Sequence, residues 1–341
     1  MTDFGKYLTD YLNQYLPVEC GCSNQTIKQY SATFILLLQY MYKFEFIVPE
    51  KLFLKELTKE RIISFLSWLE NERKCSISTR NNRLSTIRSF FKYLQYRDVK
   101  GMSHWQSILT IKQKKLPYKE MSYLTTEGVK VLLEQPDQQT FKGRRDFILI
   151  GLLYDSGARV QEIIDLTPAN LRFGDITTIR LHGKGNKIRV VPLSANQVRN
   201  LRLYMEENNL FTSSNSSHPL FPNPKGEKLT RMAVLGIIKR HVKNARKTHP
   251  ELIPDTISCH SFRHSKAMHM LEAGINLVYI RDFLGHSSTT TTEIYARVSN
   301  KLKESALQKL SSSIIQENKT TWHKDGELMG FLKSLQMKYT K

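Results

Sequence analysis

The sequence predicts a mainly α-helical protein of two domains: an all-helical N-terminal domain, and a larger, mixed but mostly helical C-terminal domain holding a small antiparallel sheet. Three features carry that expectation. Apolar residues recur at helical spacing from Phe4 onward, the period shortens to two only between Ile176 and Leu193, and a basic, aperiodic, proline-containing segment, Lys112–Tyr118, separates the two parts. The expected divisions are 1–118 with its linker, 119–317, and a helical tail at 318–341.

Phe4, Tyr7, Leu8, Tyr11, Leu12 and Tyr15 follow the i, i+3, i+4, i+7 spacing of one helical face, so the chain opens on an amphipathic helix. A second helix is expected after Ser23-Asn24, through Ile27, Tyr30, Phe34, Leu37 and Met41, and a third after Thr58, through Ile62, Phe65 and Leu69. The fourth begins near Ser78 and turns Ile87, Phe90, Phe91 and Leu94 inward. Its Arg80, Arg83, Arg88 and Lys92 spread over roughly half of the circumference at 100° per residue and make a basic face suited to phosphates. Past the linker, Thr125 or Thr126 caps a helix through Leu133, and Phe147, Ile150, Gly151 and Tyr154 mark a buried helical face that ends at Ser156-Gly157. Ile176–His182 and Ile188–Leu193 flank Gly183-Lys184-Gly185-Asn186-Lys187, a β-hairpin with a basic tip. Further helices are expected near 230–246, 261–273, 277–284 and 289–310. Leu328, Phe331, Leu332 and Leu335 form a last apolar stripe, which fits packing on its own domain or docking on a neighbouring protomer.

The 341 residues are 40% hydrophobic with 16 Gly and 11 Pro, which excludes disordered, collagen-like and low-complexity chains. The 51 Lys and Arg against 31 Asp and Glu leave a net charge of +20, which suits a polyanionic partner, nucleic acid before an anionic membrane. Half of that excess lies between Asn71 and Lys119, where 12 basic residues face Glu72 and Asp98 alone. The longest apolar run, Phe34–Leu38, is far short of the roughly 20 residues of a membrane span, and no secretory pattern opens the chain, so the expected location is cytoplasmic. Cys20, Cys22, Cys75 and Cys259 contain one C-x-C without a second ligand pair and are expected as reduced, non-ligating thiols.

Four local patterns hold candidate chemistry: Gly157-Ala158-Arg159-Val160-Gln161-Glu162, the hairpin tip, His260-Ser261-Phe262-Arg263, and Leu284-Gly285-His286 followed by Tyr295. His260 and Arg263, at i, i+3, address one small volume, and Arg159 follows a glycine turn at a helix start, where free backbone N–H groups favour an anion. Phosphate is the natural guest, because two arginine forks can neutralise a pentacoordinate phosphorane without metal. The acidic clusters of a two-metal nuclease are missing, and no cofactor is expected. His260 and His264, at i, i+4, have the spacing of a zinc pair, but Arg263 beside a cation would be repulsive; His264 and His269 are expected as structural or solvent-facing, and His182 as a strand end.

In this order the patterns resemble the tyrosine recombinase, or phage integrase, family: arginine, hairpin lysine, His-x-x-Arg, His after Leu-Gly, then tyrosine, here Arg159, Lys184, His260 with Arg263, His286 and Tyr295. Asp155-Ser156-Gly157 before Arg159, Val190-Val191-Pro192-Leu193 after the hairpin, and Thr292-Glu293-Ile294 before Tyr295 match as well. The resemblance implies a SAM-like core-binding domain at the N-terminus and a catalytic domain in which Tyr295 attacks a phosphodiester, leaving a 3′-phosphotyrosyl bond and a free 5′-hydroxyl. Arg159 and Arg263 would clamp the non-bridging oxygens, Lys184 would protonate the leaving oxygen, His260 would assist proton transfer from Tyr295, and His286 would hydrogen-bond the phosphate. Glu162 would hold His260 or an arginine in place, and Lys187 would share the tip as the alternative to Lys184 or as a DNA-backbone contact. The implied partner is double-stranded DNA, bound by a homotetramer or a hetero-tetramer with a related recombinase, for integration, excision or transposition of a mobile element. Chromosome-dimer resolution, type IB topoisomerase-like activity and a non-catalytic DNA-binding protein on the same fold are the alternatives.

Overall fold

A computed structural model describes residues 2–117, 121–183, 185, 187–212, 215–286, 288, 292–295 and 326–339. The chain divides into two compact units, 1–119 and 120–341, each with its own core.

The first unit is helical throughout: α1 (Asp3–Asp10), α2 (Asn24–Phe44), α3 (Lys59–Asn71), α4 (Ile77–Arg97) and α5 (Met102–Leu109). Side-chain hydroxyls of Ser23, Thr58 and Ser76 accept backbone N–H groups of Thr26, Arg61 and Thr79, satisfying donors that a helix start leaves orphaned. The opening segment departs from the expected single α-helix. From Tyr11 to Glu19 it widens into a π-helix, and Cys20 N–H donates to Tyr15 C=O, five residues back. Pro17 lies within that segment and has no N–H to close an α-turn, while the Tyr11 and Tyr15 rings stack at 5.7 Å and Tyr15 meets Tyr93 at 4.8 Å. Helix α5 was not expected, because only Trp105 and Ile108 of its eight residues are buried and so short a stripe has no visible period.

The basic face of α4 requires a correction. Arg80 is buried, 6% exposed, and its guanidinium donates to Asn81 Oδ1 and Lys112 C=O; it holds the chain after α5 and does not face solvent. The Asn81 amide pairs with Lys114 in both directions, at 2.8 and 3.1 Å, so residues read as a free linker begin as a strap along α4. Arg83 is half-buried and donates to Gln29 C=O and Thr33 Oγ1 across a polar cleft lined also by Tyr30, Thr79 and Asn82. Arg88 is half-buried and Lys92 exposed.

The second unit contains α6 (Thr126–Leu133), α7 (Phe141–Asp155), α8 (Val160–Ile164), β1 (Leu171–Arg172), β2 (Thr178–His182), β3 (Ile188–Pro192), α9 (Ala195–Glu207), α10 (Arg231–Thr248), α11 (Cys259–Glu272) and α12 (Leu277–Leu284). Residues 292–295 are helical, and a last described helix, α13 (Gly326–Lys338), buries none of its residues. Ile148–Leu153 of α7 are buried on every side, which makes this helix the centre of the unit. The strands form one antiparallel sheet in the order β1-β2-β3, with Ile179 opposite Val191 and Leu181 opposite Arg189, and Gly183 N–H donating to Lys187 C=O closes the hairpin at 2.7 Å. Ile179, Leu181 and Val191 face the core, so the sheet is a one-sided layer that carries the tip. Neither β1 nor α9 was expected. Among the described residues no helix is long and apolar enough to cross a membrane.

Leu149→Ala, at a fully buried position of α7, is expected to lower unfolding stability by about 2–5 kcal/mol through lost burial and an unfilled cavity, as read by urea denaturation.

Candidate active site

Arg159 is the N-cap of α8, placed there by Gly157, whose φ of +55° is open to glycine and where a Cβ would come within 2.8 Å of Leu284 Cδ2. Glu162, three residues into the turn, reaches back to Arg159: Oε2 accepts the Arg159 N–H at 2.8 Å, and Oε1 accepts Arg159 Nη1 at 2.9 Å. The amide expected as part of an open anion site is therefore occupied by a carboxylate. Glu162 holds an arginine, and His260 is not its partner.

The same carboxylate receives a second arginine that sequence reasoning missed. Arg189 donates Nη1 to Oε1 at 2.8 Å and Nη2 to Oε2 at 2.7 Å, and its Nε reaches Phe283 C=O at 3.1 Å. A signal existed: Ile188 and Val190 point outward, so the period of two puts Arg189 on the inward side of β3, where a charge requires a carboxylate. Burial by itself raises the pKa of Glu162, but the hydrogen bonds and charges of Arg189 and Arg159 hold it below the usual carboxylate value.

Arg263, one turn into α11 and 3% exposed, donates Nη1 to Gly157 C=O at 2.7 Å and Nη2 to Leu284 C=O at 2.6 Å. Arg159 Nη2 adds a longer contact, 3.4 Å, to Gly285 C=O. Three arginines from three elements thus meet the consecutive carbonyls of residues 283–285, the negative end of α12. Gly285 closes that helix with φ +66°, and a Cβ there would lie 2.9 Å from Arg189 Cδ. Burial, then repulsion from Arg159 and Arg189, draws the Arg263 pKa down to about 9, so it stays cationic at neutral pH.

His286 follows Gly285 directly, shares a hydrogen bond of 2.9 Å between Nδ1 and Thr292 Oγ1, and stacks its ring on Tyr295 at 6.4 Å and 13°. Tyr295 is 2% exposed, and its hydroxyl lies 3.1 Å from Nδ1 of His264. His264, expected as structural or solvent-facing, is therefore the imidazole that meets the hydroxyl of the candidate nucleophile, one helical turn beyond His260. His260 is exposed, with its ring 6.2 Å from that of His264 and tilted 30° to it; partial enclosure of the ring, then the charges of Arg263 and Arg159, push its pKa down. Burial, then His260 and Arg263, draws His264 to about 4; burial, then Arg263 and Arg159, does the same to His286. Both are neutral at pH 7, and with its proton on Nε2 His264 accepts the Tyr295 O–H. Burial raises the Tyr295 pKa and Arg263 and Arg159 oppose that rise.

A cleft of about 320 Å³ is lined by Arg159, Gly183, Lys187, Arg189, Gly285 and His286. It brings the hairpin base, the α8 start and the α12 end to one volume. Lys184 lies outside the described residues. His269 bonds to the Tyr154 hydroxyl at 2.9 Å, and His182 ends β2.

The family model described as "Phage integrase family" matches residues 122–301, and "Phage integrase, N-terminal SAM-like domain" matches residues 8–98. The y4rC protein of Sinorhizobium fredii, which carries an integrase/recombinase name, is 32% identical over 328 residues, 96% of this chain and 97% of that one. The tyrosine recombinase XerD of Staphylococcus epidermidis is 32% identical over 307 residues, 86% of this chain and 94% of that one. Among solved structures, the XerH site-specific recombinase bound to difH substrate in a pre-cleavage complex is 25% identical, with a TM-score of 0.64 over 83% of this chain and 79% of that one.

His264 and His286 have folded pKa values near 4 against 6.5 for an unperturbed imidazole, so between these values the unfolded chain binds more protons and stability falls as pH falls. Glu162, held below its usual value, adds a loss of the same sign only at lower pH. Urea unfolding between pH 7 and pH 4 is expected to show the decline, and His264→Gln to lessen it; a flat profile would contradict these assignments.

Proposed function

The chain belongs to the phage integrase family, the tyrosine recombinases, which break and rejoin DNA, and from that premise we propose that it is a site-specific recombinase of double-stranded DNA with Tyr295 as its nucleophile. The observation that supports this reading is a cleft lined by Arg159 and His286, beside which Arg263 is held on the Leu284 carbonyl and Tyr295 is stacked on His286.

In the proposed reaction the Tyr295 oxygen bonds to the scissile phosphorus as the bond to the 5′-oxygen breaks, giving a 3′-phosphotyrosyl link and a 5′-hydroxyl. The hydroxyl leaves His264 for the phosphate, and its proton passes to the neutral imidazole of His264 or His260. Arg159, with its side chain 31% exposed, is the more available clamp. Arg263 commits two of its five N–H donors to backbone carbonyls and keeps a second N–H on each terminal nitrogen. His286 donates to a phosphate oxygen, and Lys184 protonates the leaving 5′-oxygen. Attack by a 5′-hydroxyl of another strand reverses each step, so the phosphodiester energy is kept and no ATP is consumed.

The biological role we favour is integration, excision or transposition of a mobile element, in keeping with the integrase/recombinase name of y4rC. Likeness to XerD favours a second reading, chromosome-dimer resolution. Sequencing of covalently trapped DNA separates them: adducts at the ends of one element support the first, and a single chromosomal site the second. We also propose a DNA-bound tetramer in which the tail docks on a neighbouring protomer. Leu328, Phe331 and Leu332 of α13 are exposed, which is the surface such docking uses.

Nicked suicide-substrate DNA from those sites is expected to give a protein–DNA adduct on a denaturing gel with the wild type and none with Tyr295→Phe. Absence of the adduct on a DNA that the protein binds would favour a non-catalytic role. Deletion of 318–341 is expected to weaken pairing of two sites by at least about tenfold, with single-site binding nearly unchanged, as measured by native gel; unchanged pairing would remove the docking reading.

A further inference from the structure

The guanidinium of Arg189 commits three of its five N–H donors to protein. Both terminal nitrogens lie on Glu162, Nε lies on Phe283 C=O, and the side chain is 10% exposed, so only a small part of it opens on the cleft that it lines. Its partners, however, are the residues that place the candidate clamp. Glu162 Oε1 is shared between Arg189 Nη1 and Arg159 Nη1, and Phe283 immediately precedes the Leu284-Gly285-His286 turn.

This sharing has an electrostatic consequence. A buried carboxylate facing Arg159 alone would satisfy both oxygens with that one guanidinium and cancel its charge. With Arg189 in a bidentate pair on Glu162, the local sum of the three groups is one positive charge, and the half-exposed group among them is Arg159. The Nε contact also fixes the end of α12 against β3, and a Cβ at Gly285 would strike Arg189 Cδ, so the approach is close on both sides.

We propose that Arg189 is a positioning residue for DNA cleavage: by occupying Glu162 and Phe283 C=O it leaves the Arg159 charge available to the scissile phosphate and holds the turn that carries His286. This rests on the reading of Arg159 as a phosphate clamp given above. Arg189 acts through Arg159 and does not touch the reacting atoms.

The test uses the full chain and the nicked duplex on which the wild-type adduct has been mapped, made once with a natural scissile phosphate and once with a methylphosphonate there. The methylphosphonate lacks the non-bridging charge that a clamp neutralises. Arg189→Met is expected to slow adduct formation on the phosphate by about 100-fold, a loss of the size seen on removing one transition-state donor. Binding is expected to change less than about threefold, because most affinity comes from other backbone contacts. On the methylphosphonate the loss is expected to shrink to below about tenfold, as for Arg159→Lys, since the clamp has less charge to offset. Arg189→Lys, which keeps the charge without the fork, is expected to be intermediate. If Arg189→Met does not fold by thermal unfolding, Arg189→Lys carries the test in its place, with a loss on the phosphate that shrinks on the methylphosphonate expected and an equal loss on both overturning the proposal. An equal loss on both substrates would show a merely structural residue and overturn the proposal, as would an unchanged rate on the phosphate. Absence of any wild-type adduct would overturn the clamp reading itself, and this inference with it.

Discussion

The catalytic unit depends on how three guanidinium groups are kept together. Arg159, Arg189 and Arg263 repel one another, and two of them are almost fully buried, a combination that is strongly unfavourable unless each charge meets oriented acceptors. The acceptors are one buried carboxylate, Glu162, the Gly157 carbonyl, and the carbonyls of residues 283–285 at the C-terminal end of α12, where the helix dipole adds negative potential. That arrangement explains the two glycines with positive φ. Gly157 and Gly285 allow the backbone to turn sharply beside the cluster, and a side chain at either would collide with it.

Tyr295, the proposed nucleophile, adjoins this cluster through His286. Its ring stacks on His286 and its hydroxyl is held by His264, a neutral acceptor because burial and neighbouring cations oppose imidazolium. The positive potential that would stabilise a phosphorane thus also keeps two histidines unprotonated and limits the rise of the Tyr295 pKa. One electrostatic environment acts on Arg263, His264, His286 and Tyr295 together.

Much of the fold was legible in the sequence. Ser23, Thr58 and Thr125 marked helix starts that their hydroxyls cap, and the change to period two marked the hairpin, because caps and periodicity are local properties of the chain. What escaped, besides α9, was short or long-range: α5, β1 and the π-helical turn, the last set by Pro17 and by stacking on Tyr93, which is 78 residues from Tyr15.

The sequence by itself determined the residue types of the site, their order, and the family they point to, since Arg159, His260, Arg263, His286 and Tyr295 can be read as a pattern without knowing where any of them sits. Only the tertiary structure decided partners. It turned Arg80 from a surface cation into a buried brace, gave Glu162 to Arg159 and Arg189, and brought His264 to Tyr295 across 31 residues. The physical reason is that a charge or a hydrogen-bonding group declares its need locally, whereas the group that meets it is chosen by packing of elements far apart in the chain.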